Sequence, residues 1–497
     1  MKNIIKIFVA GLIGLGAMST TLLATRSNAV VEESASAVAH SENYNEYHYS
    51  GNYYDSINFS AGDGMNGNLR KTLTTLIKPS TTPKYLSGLK SELQRADEDP
   101  TNSNNMVYFY TRDSKTKNAA KDWNREHVWP KSLSGNCWND ISDDSDYNDA
   151  GTDILHVRPT YSSTNSNRSN LKFGYVKGEW EKYYNIVYCK KNGQYFEPID
   201  SVKGDCARII MYIWTAWVNY YGANKMPNPD KVFSSYNTML EWHLIDPPDE
   251  LEANRNAKAY TTQGNRNPFV DHPELGWKIY GEKCYQSLTN KAKNIYPETT
   301  STVDSLSYSG TPTVTSYIDG SEFNTSGITV TAHLTDGTTQ NVTDKVVWKH
   351  LNSNDRNFVV GYYGGKTVKV TGLTIQPYIR ATKIYFVENK VEGYVGENIQ
   401  LTLGINPSNA TTPAYSFTST HPDIATIDSN GKLTLKKAGK TEIVAIATDL
   451  NISAVCDVVV KPQPGCTGSV AAGCILITIT SIMALSFLTI KKIKFKK

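Results

Sequence analysis

Cysteine is sparse in this 497-residue chain and never closely paired: Cys137, Cys189, Cys206, Cys284, Cys456, Cys466 and Cys474 form no C-x-x-C. A zinc ribbon is thereby excluded. H-E-x-x-H is missing, and zincin protease chemistry with it; G-x-S-x-G is missing too, which removes that type of serine hydrolase. Bulk basic charge is also lacking. The formal net charge is +3, yet from Ser41 to Asn290 28 Lys and Arg face 31 Asp and Glu. Nucleic acid could be held there only through a local basic patch or a bound cation.

Long apolar runs occur only at the ends. Lys2 and Lys6 precede an apolar run from Ile7 to Ala24, and the small residues "SNA" close it at Ala29, which is a signal-peptide pattern over 1–29 and implies export. Val470 to Ile490 is uncharged and long enough to cross the ~30 Å hydrocarbon layer as a helix. The basic tail "KKIKFKK" (491–497) follows and should stay cytoplasmic. The expectation is a protein outside the cell, anchored in the cytoplasmic membrane by its C-terminal helix, or secreted where the tail is processed. Residues 462–469 read as a short linker or processing motif; LPxTG is absent, so covalent wall attachment has no support. Export permits disulfides, and the four cysteines before residue 290 allow one or two bridges, with three connectivities if all four pair.

Between the ends the pattern changes once. Residues 30–42 are small and polar, a flexible lead-in. From 43 to 296 helix-like and strand-like stretches mix: "LRKTLTTLIK" (Leu69 to Lys78) has helical spacing, "NMVYFYT" (Asn105 to Thr111) reads as a buried strand, and Gly204 to Tyr221 reads as a long buried helix. This is one α+β domain. From 297 onward short alternating runs such as "GITVTAHL" and "KTVKVTGLTI" are separated by turns, and two blocks, 297–379 and 380–461, argue for two β-sandwiches in tandem.

The chemistry sits in the first domain. In "WNREHVWPKS" (Trp123 to Ser132) Glu126 adjoins His127, and neighbours on a strand point to opposite faces. Downstream, "DILHVRPTYSSTNSNRSNLKFG" (Asp153 to Gly174) joins a short strand to a polar turn and a helix start carrying Asn165, Asn167, Arg168 and Asn170. One carboxylate and one amide oxygen suit a hard divalent cation that keeps most of its waters. A histidine off the metal can take a proton from water, and an arginine can fork onto phosphate. Phosphodiester hydrolysis needs these parts.

On those residues the chain resembles the endonuclease I family, nucleases with a ββα-metal (His-Me finger) core. The resemblance runs from about Tyr53 to Tyr285 and includes "NREHVWPKS", "TDILHVRPTYSSTNSNRSNLKFG", "KGDCARIIMYIW" and "GNRNPFVDHPEL". It implies His127 as general base, Glu126 and Asn165 as metal ligands and Arg168 as a phosphate contact. It also implies cleavage of DNA, and RNA besides, to 5′-phosphate products with Mg2+ or another divalent cation such as Mn2+ or Ca2+. "PSNAT", "TSTHPDIATIDSNGKLT" and "KAGKTEIVA" (Pro407 to Ala445) resemble bacterial Ig-like group 2 repeats, and Tyr317 to Thr343 resembles the group 3 or 4 type. The expected fold is multidomain: an α+β His-Me finger nuclease domain, two all-β Ig-like sandwiches and a C-terminal transmembrane helix.

Other polar residues have competing roles. Asp153, His156 and Arg158 either brace the finger or act directly; Arg208 either reaches phosphate or pairs with an acid inside a buried helix. His243 and His272 read as structural residues of proline-rich loops, and Trp123 and Trp129 as packing rather than base-stacking residues. Asp144, Asp146 and Asn148 have calcium-loop spacing, but Asp149 stands where an EF-hand needs glycine. The implied partners are DNA and RNA as substrates, the membrane, and an envelope ligand of the Ig-like modules, with the chain a monomer. The rival reading is a surface adhesin whose nuclease-like domain only binds. If the sandwiches are mere spacers, removing Pro297 to Lys461 leaves solution activity intact.

Overall fold

The computed structural model describes residues 49–118, 123–138, 149–296, 302–354 and 357–464. The signal sequence, the acidic loop with Asp144, Asp146 and Asn148, and the apolar tail Val470 to Ile490 lie outside the described residues. Among the described residues no helix is long and apolar enough to cross a membrane. The chain forms two compact units that divide after Tyr378.

The first unit is built on the helix Asp200–Tyr221, which is buried from Val202 through Val218. It begins four residues earlier than its apolar run because Asp200 supplies an acid to the first turn, favourable at a helix N-terminus, and it stops at Gly222, whose φ of 90° only glycine adopts freely. The helices Tyr236–Ile245 and Asn68–Ile77 pack against it. Gly204 permits the first of these approaches, since a Cβ there would collide with the Asp246 carbonyl.

The expected strand over Asn105 to Thr111 ends early. The strand is Asn102–Val107, and Tyr108, Phe109 and Tyr110 enter a tight turn. The Tyr108 amide donates to the Asp113 carbonyl (2.9 Å), and the Arg112 amide, at a φ of 52°, donates to the Tyr108 carbonyl (2.9 Å). All three aromatic rings are nevertheless fully buried, so hydrophobicity alone cannot separate this turn from a strand.

Strand Trp123–His127 runs antiparallel to strand Val157–Tyr161, with Glu126 opposite Arg158 and His127 opposite Val157. The second strand leads directly into helix Ser162–Arg168, with no intervening turn, and the helix packs on both strands. Behind it lies a four-stranded sheet that includes the hairpin of Glu181–Tyr183 and Ile186–Lys191, whose turn residues Tyr184 and Asn185 both have positive φ, 45° and 66°.

The first β domain belongs to the same compact unit. In its strand Phe358–Tyr363, Val359 and Tyr363 face that domain's own core while Val360 and Tyr362 join the core of the α+β domain. Two-sided burial is what a continuous apolar strand allows. Polar ties reinforce the junction: Lys190 meets Asp319 at 2.9 Å with both side chains buried, Trp180 Nε1 donates to the same carboxylate (2.6 Å), and the His350 ring stacks on Tyr175 at 4.0 Å. This β domain is therefore part of the body of the α+β domain, against the expectation of a detached spacer.

The second unit, from Ile379, holds a four-stranded sheet, a three-stranded sheet and a two-stranded pair around Ile384, Leu433, Leu435, Ile443 and Val458. Cys137, Cys189, Cys206, Cys284 and Cys456 are all free thiols, so the bridges that the first four allow are not formed.

Candidate active site

The strand pleat sends Glu126 and His127 to different surroundings, as their adjacency requires. Glu126 is buried beneath the finger. Its Oε1 accepts a 2.7 Å hydrogen bond from the Tyr110 hydroxyl and lies 3.4 Å from Arg168 Nε, while Oε2 takes no hydrogen bond from any described residue. Burial outweighs the Arg168 charge and the Tyr110 hydrogen bond, and lifts the Glu126 carboxyl to about 7.

Arg168 is fully buried. Nη2 donates to the Val128 carbonyl (2.9 Å), Nη1 to the Ser169 carbonyl (2.8 Å), and the guanidinium lies over Phe173 at 4.6 Å. Its Nη1 and Nη2 each donate to a backbone carbonyl, while Nε, buried without a hydrogen bond, faces Glu126; the structure thus sets Arg168, expected to contact phosphate, against the Glu126 carboxylate. Thr164 and Arg168, four residues apart, form the inward face of the short helix. Asn165 sits one step round at its half-buried edge, and its side-chain amide has no hydrogen-bond partner among the described residues.

His127 is partly exposed, and its Nε2 lies 2.8 Å from the Gly151 carbonyl. A carbonyl only accepts, so Nε2 carries the hydrogen and Nδ1 is left as the basic nitrogen of the neutral ring. Burial is the largest influence on this histidine and lowers its pKa; the Gly151 hydrogen bond opposes that, and the Arg125 and Lys131 charges add to it.

His156 is a brace. Nδ1 donates to the Ala150 carbonyl (2.6 Å) and Nε2 accepts from the Trp129 amide (3.0 Å), which ties the strand exit to the loop bearing Gly151. Burial, with repulsion from His127, drives its pKa down to about 3. Asp153 is equally internal: its carboxylate accepts from Tyr212 (2.6 Å), Trp217 (3.0 Å), Gln263 (2.6 Å) and the Leu155 amide (2.9 Å). Arg158 lies 3.0 Å from Asp97, and Arg208 is clamped by Glu252 and the Asp246 carbonyl; both are buried. All four side chains are buried and bonded within the fold. Trp123 and Trp129 are buried, His243 lies inside a helix rather than a proline-rich loop, and His272 caps the short helix Pro268–Asp271.

Sequence reasoning missed Tyr110 and Gly151. Tyr110 is brought to Glu126 only by the turn that ends its strand, and Gly151 contributes a backbone carbonyl, so neither has a side-chain signature in the sequence.

The Endonuclease I family model matches residues 66–274, which include every one of these residues. An extracellular ribonuclease of Bacillus subtilis is 35% identical over 240 residues, 46% of this chain and 78% of that protein. The chain belongs to the endonuclease I family. A second relative, an extracellular ribonuclease of Bacillus amyloliquefaciens, is 34% identical over 276 residues, covering 52% of this chain and 84% of that one. An extracellular deoxyribonuclease of Aeromonas hydrophila is 26% identical over 156 residues, 29% of this chain and 64% of that one. Beyond the endonuclease I region, residues 380–458 match the bacterial Ig-like domain of group 2.

The site fits a hard divalent cation. Glu126 Oε2 and the Asn165 amide oxygen take no hydrogen bond from any described residue, and such a sparse oxygen pair would leave positions for water and phosphate. No cluster of three or more His, Cys, Asp or Glu that could cage a metal occurs among the described residues.

Proposed function

We propose that the protein is an exported, metal-dependent endonuclease that hydrolyses phosphodiester bonds of RNA and DNA to 5′-phosphate products. The observation that carries this reading is a neutral histidine with a free Nδ1 on the strand position next to a buried carboxylate with one free oxygen. His127 Nδ1 accepts a proton from water, whose oxygen attacks phosphorus while the P–O3′ bond breaks. The positive charge on the ring is steadied by the Nε2–H bond to Gly151. Tyr110 and Arg168 fix Glu126, which with Asn165 would hold the divalent cation. When bound, that cation offsets charge on the phosphate and on the leaving oxygen.

Support for both substrates comes from relatives that include ribonucleases and a deoxyribonuclease. Anchoring through Val470 to Ile490, a monomeric state and an envelope ligand for the Ig-like modules rest on the sequence pattern. The test is incubation of RNA and plasmid DNA with the mature chain and Mg2+, with and without EDTA, followed by end-group analysis. Products with 5′-phosphates and 3′-hydroxyls are expected; intact substrates under every condition would leave the adhesin reading. Cell fractionation, with and without residues 470–497, tests the anchor.

A further inference from the structure

Arg168 is fully buried, and the structure offers a more exposed cation for the substrate's phosphates on the strand itself. Arg125 stands two residues before His127, so both side chains leave the same face. Its guanidinium lies over the Tyr85 ring at 3.7 Å from the centroid, and Nη1 donates to the Tyr85 carbonyl (2.7 Å). Nε and Nη2 have no hydrogen-bond partner among the described residues. The Tyr85 ring is nearly parallel to the His127 imidazole, at 20° with centroids 6.4 Å apart.

Tyr85 belongs to the segment between the helices Asn68–Ile77 and Leu89–Ala96. Thr82 is hydrogen-bonded to Thr152 at 2.5 Å, next to the Gly151 that holds His127. This segment is thus a fixed wall of the catalytic face. Tyr85 is half-buried and its neighbour Leu86 is 53% exposed. An aromatic ring backed by a guanidinium beside the base is the equipment for gripping an unpaired nucleotide: the ring stacks on a base regardless of its identity, and the arginine forks onto a phosphate. A base inside a duplex is already stacked and cannot use the ring.

We propose that Tyr85 and Arg125 form a nucleotide-binding subsite for a single-stranded nucleotide next to the scissile bond, with Arg125 taking the phosphate and Tyr85 the base. The assignment rests on the nuclease reading of the His127 site. Stacking of one base is worth about 1–3 kcal/mol, so its loss weakens binding by about tenfold or more.

The test measures the affinity of fluorescein-labelled single-stranded and double-stranded oligonucleotides by anisotropy, with His127→Ala as parent to prevent cleavage. Adding Tyr85→Ala is expected to weaken single-strand binding about tenfold and duplex binding far less, and Tyr85→Phe, which keeps the ring, restores it. Arg125→Gln weakens single-strand binding and flattens its salt dependence. Equal losses on both substrates, or no loss, overturn the proposal, provided the melting temperatures agree. In the active protein, Tyr85→Ala should lose more on oligonucleotides than on bis(p-nitrophenyl) phosphate, which has no base. Failure of the active chain to cleave anything would sink the nuclease reading, whereas the anisotropy result still decides the subsite.

Discussion

The buried finger divides its work between groups that hold and groups that react. Glu126, His127 and Asn165 could be proposed from the sequence because their chemistry is local to two motifs. The burial of Arg168 was not legible, since a seven-residue helix does not reveal which face its arginine buries. Breaking a buried ion pair leaves an uncompensated charge, so Arg168→Met should destabilise the fold by about 3–5 kcal/mol in urea unfolding. Tyr110→Phe should cost about 1–3 kcal/mol through the lost hydrogen bond to Glu126. The buried histidines set the acid response. His156 and His243 are both held down to about 3 in the fold, against about 6.5 in an unfolded chain. Their stabilising contribution is complete above about 6.5 and is lost as pH falls toward 3. Each should steepen the loss by up to about 1.4 kcal/mol per pH unit in that window. The buried Glu126 and Glu252 carboxyls, raised to about 7 and about 8, slope the opposite way, so the check compares the parent with His156→Gln from pH 6.5 to 4.5; an identical slope in the two would contradict this assignment.

At the scale of elements, periodicity located the helices well, because Leu69, Leu73 and Ile77 repeat at helical spacing and the run from Ala207 to Val218 is apolar. It failed where burial was uniform. Tyr108, Phe109 and Tyr110 are as hidden in their turn as strand residues would be. The junction with the first β domain went unread for a related reason: "FVVGYY" (Phe358 to Tyr363) is a continuous apolar run among alternating strands, a sign of burial on both faces. A chain ending at residue 296 should therefore melt well below the full mature chain or aggregate. Deleting 380–464, which form a separate unit, should leave the melting temperature of the first unit in place. Within the junction, Asp319→Ala removes the partner of buried Lys190 and should cost about 3–5 kcal/mol. Differential scanning calorimetry of these variants decides among the outcomes; an unaltered transition for the chain ending at 296 would restore the spacer view.

At the scale of the whole molecule, the endonuclease I domain was readable from its motifs and the group 2 Ig-like module from its repeat signature. What composition could not show is that the first β module shares a core with the catalytic domain, since that depends on one strand's two faces. The central claim is that His127, freed at Nδ1 by its bond to Gly151, is the base of a cation-dependent nuclease. Single-turnover cleavage of RNA and DNA by the full mature chain, compared with His127→Ala, tests this most directly. The account predicts cleavage with Mg2+, its loss in EDTA and return with excess Mg2+, and a slowing of about 10²–10⁴-fold in His127→Ala at unchanged melting temperature. Cleavage by His127→Ala at the parent rate, or an undiminished rate in EDTA, would contradict it.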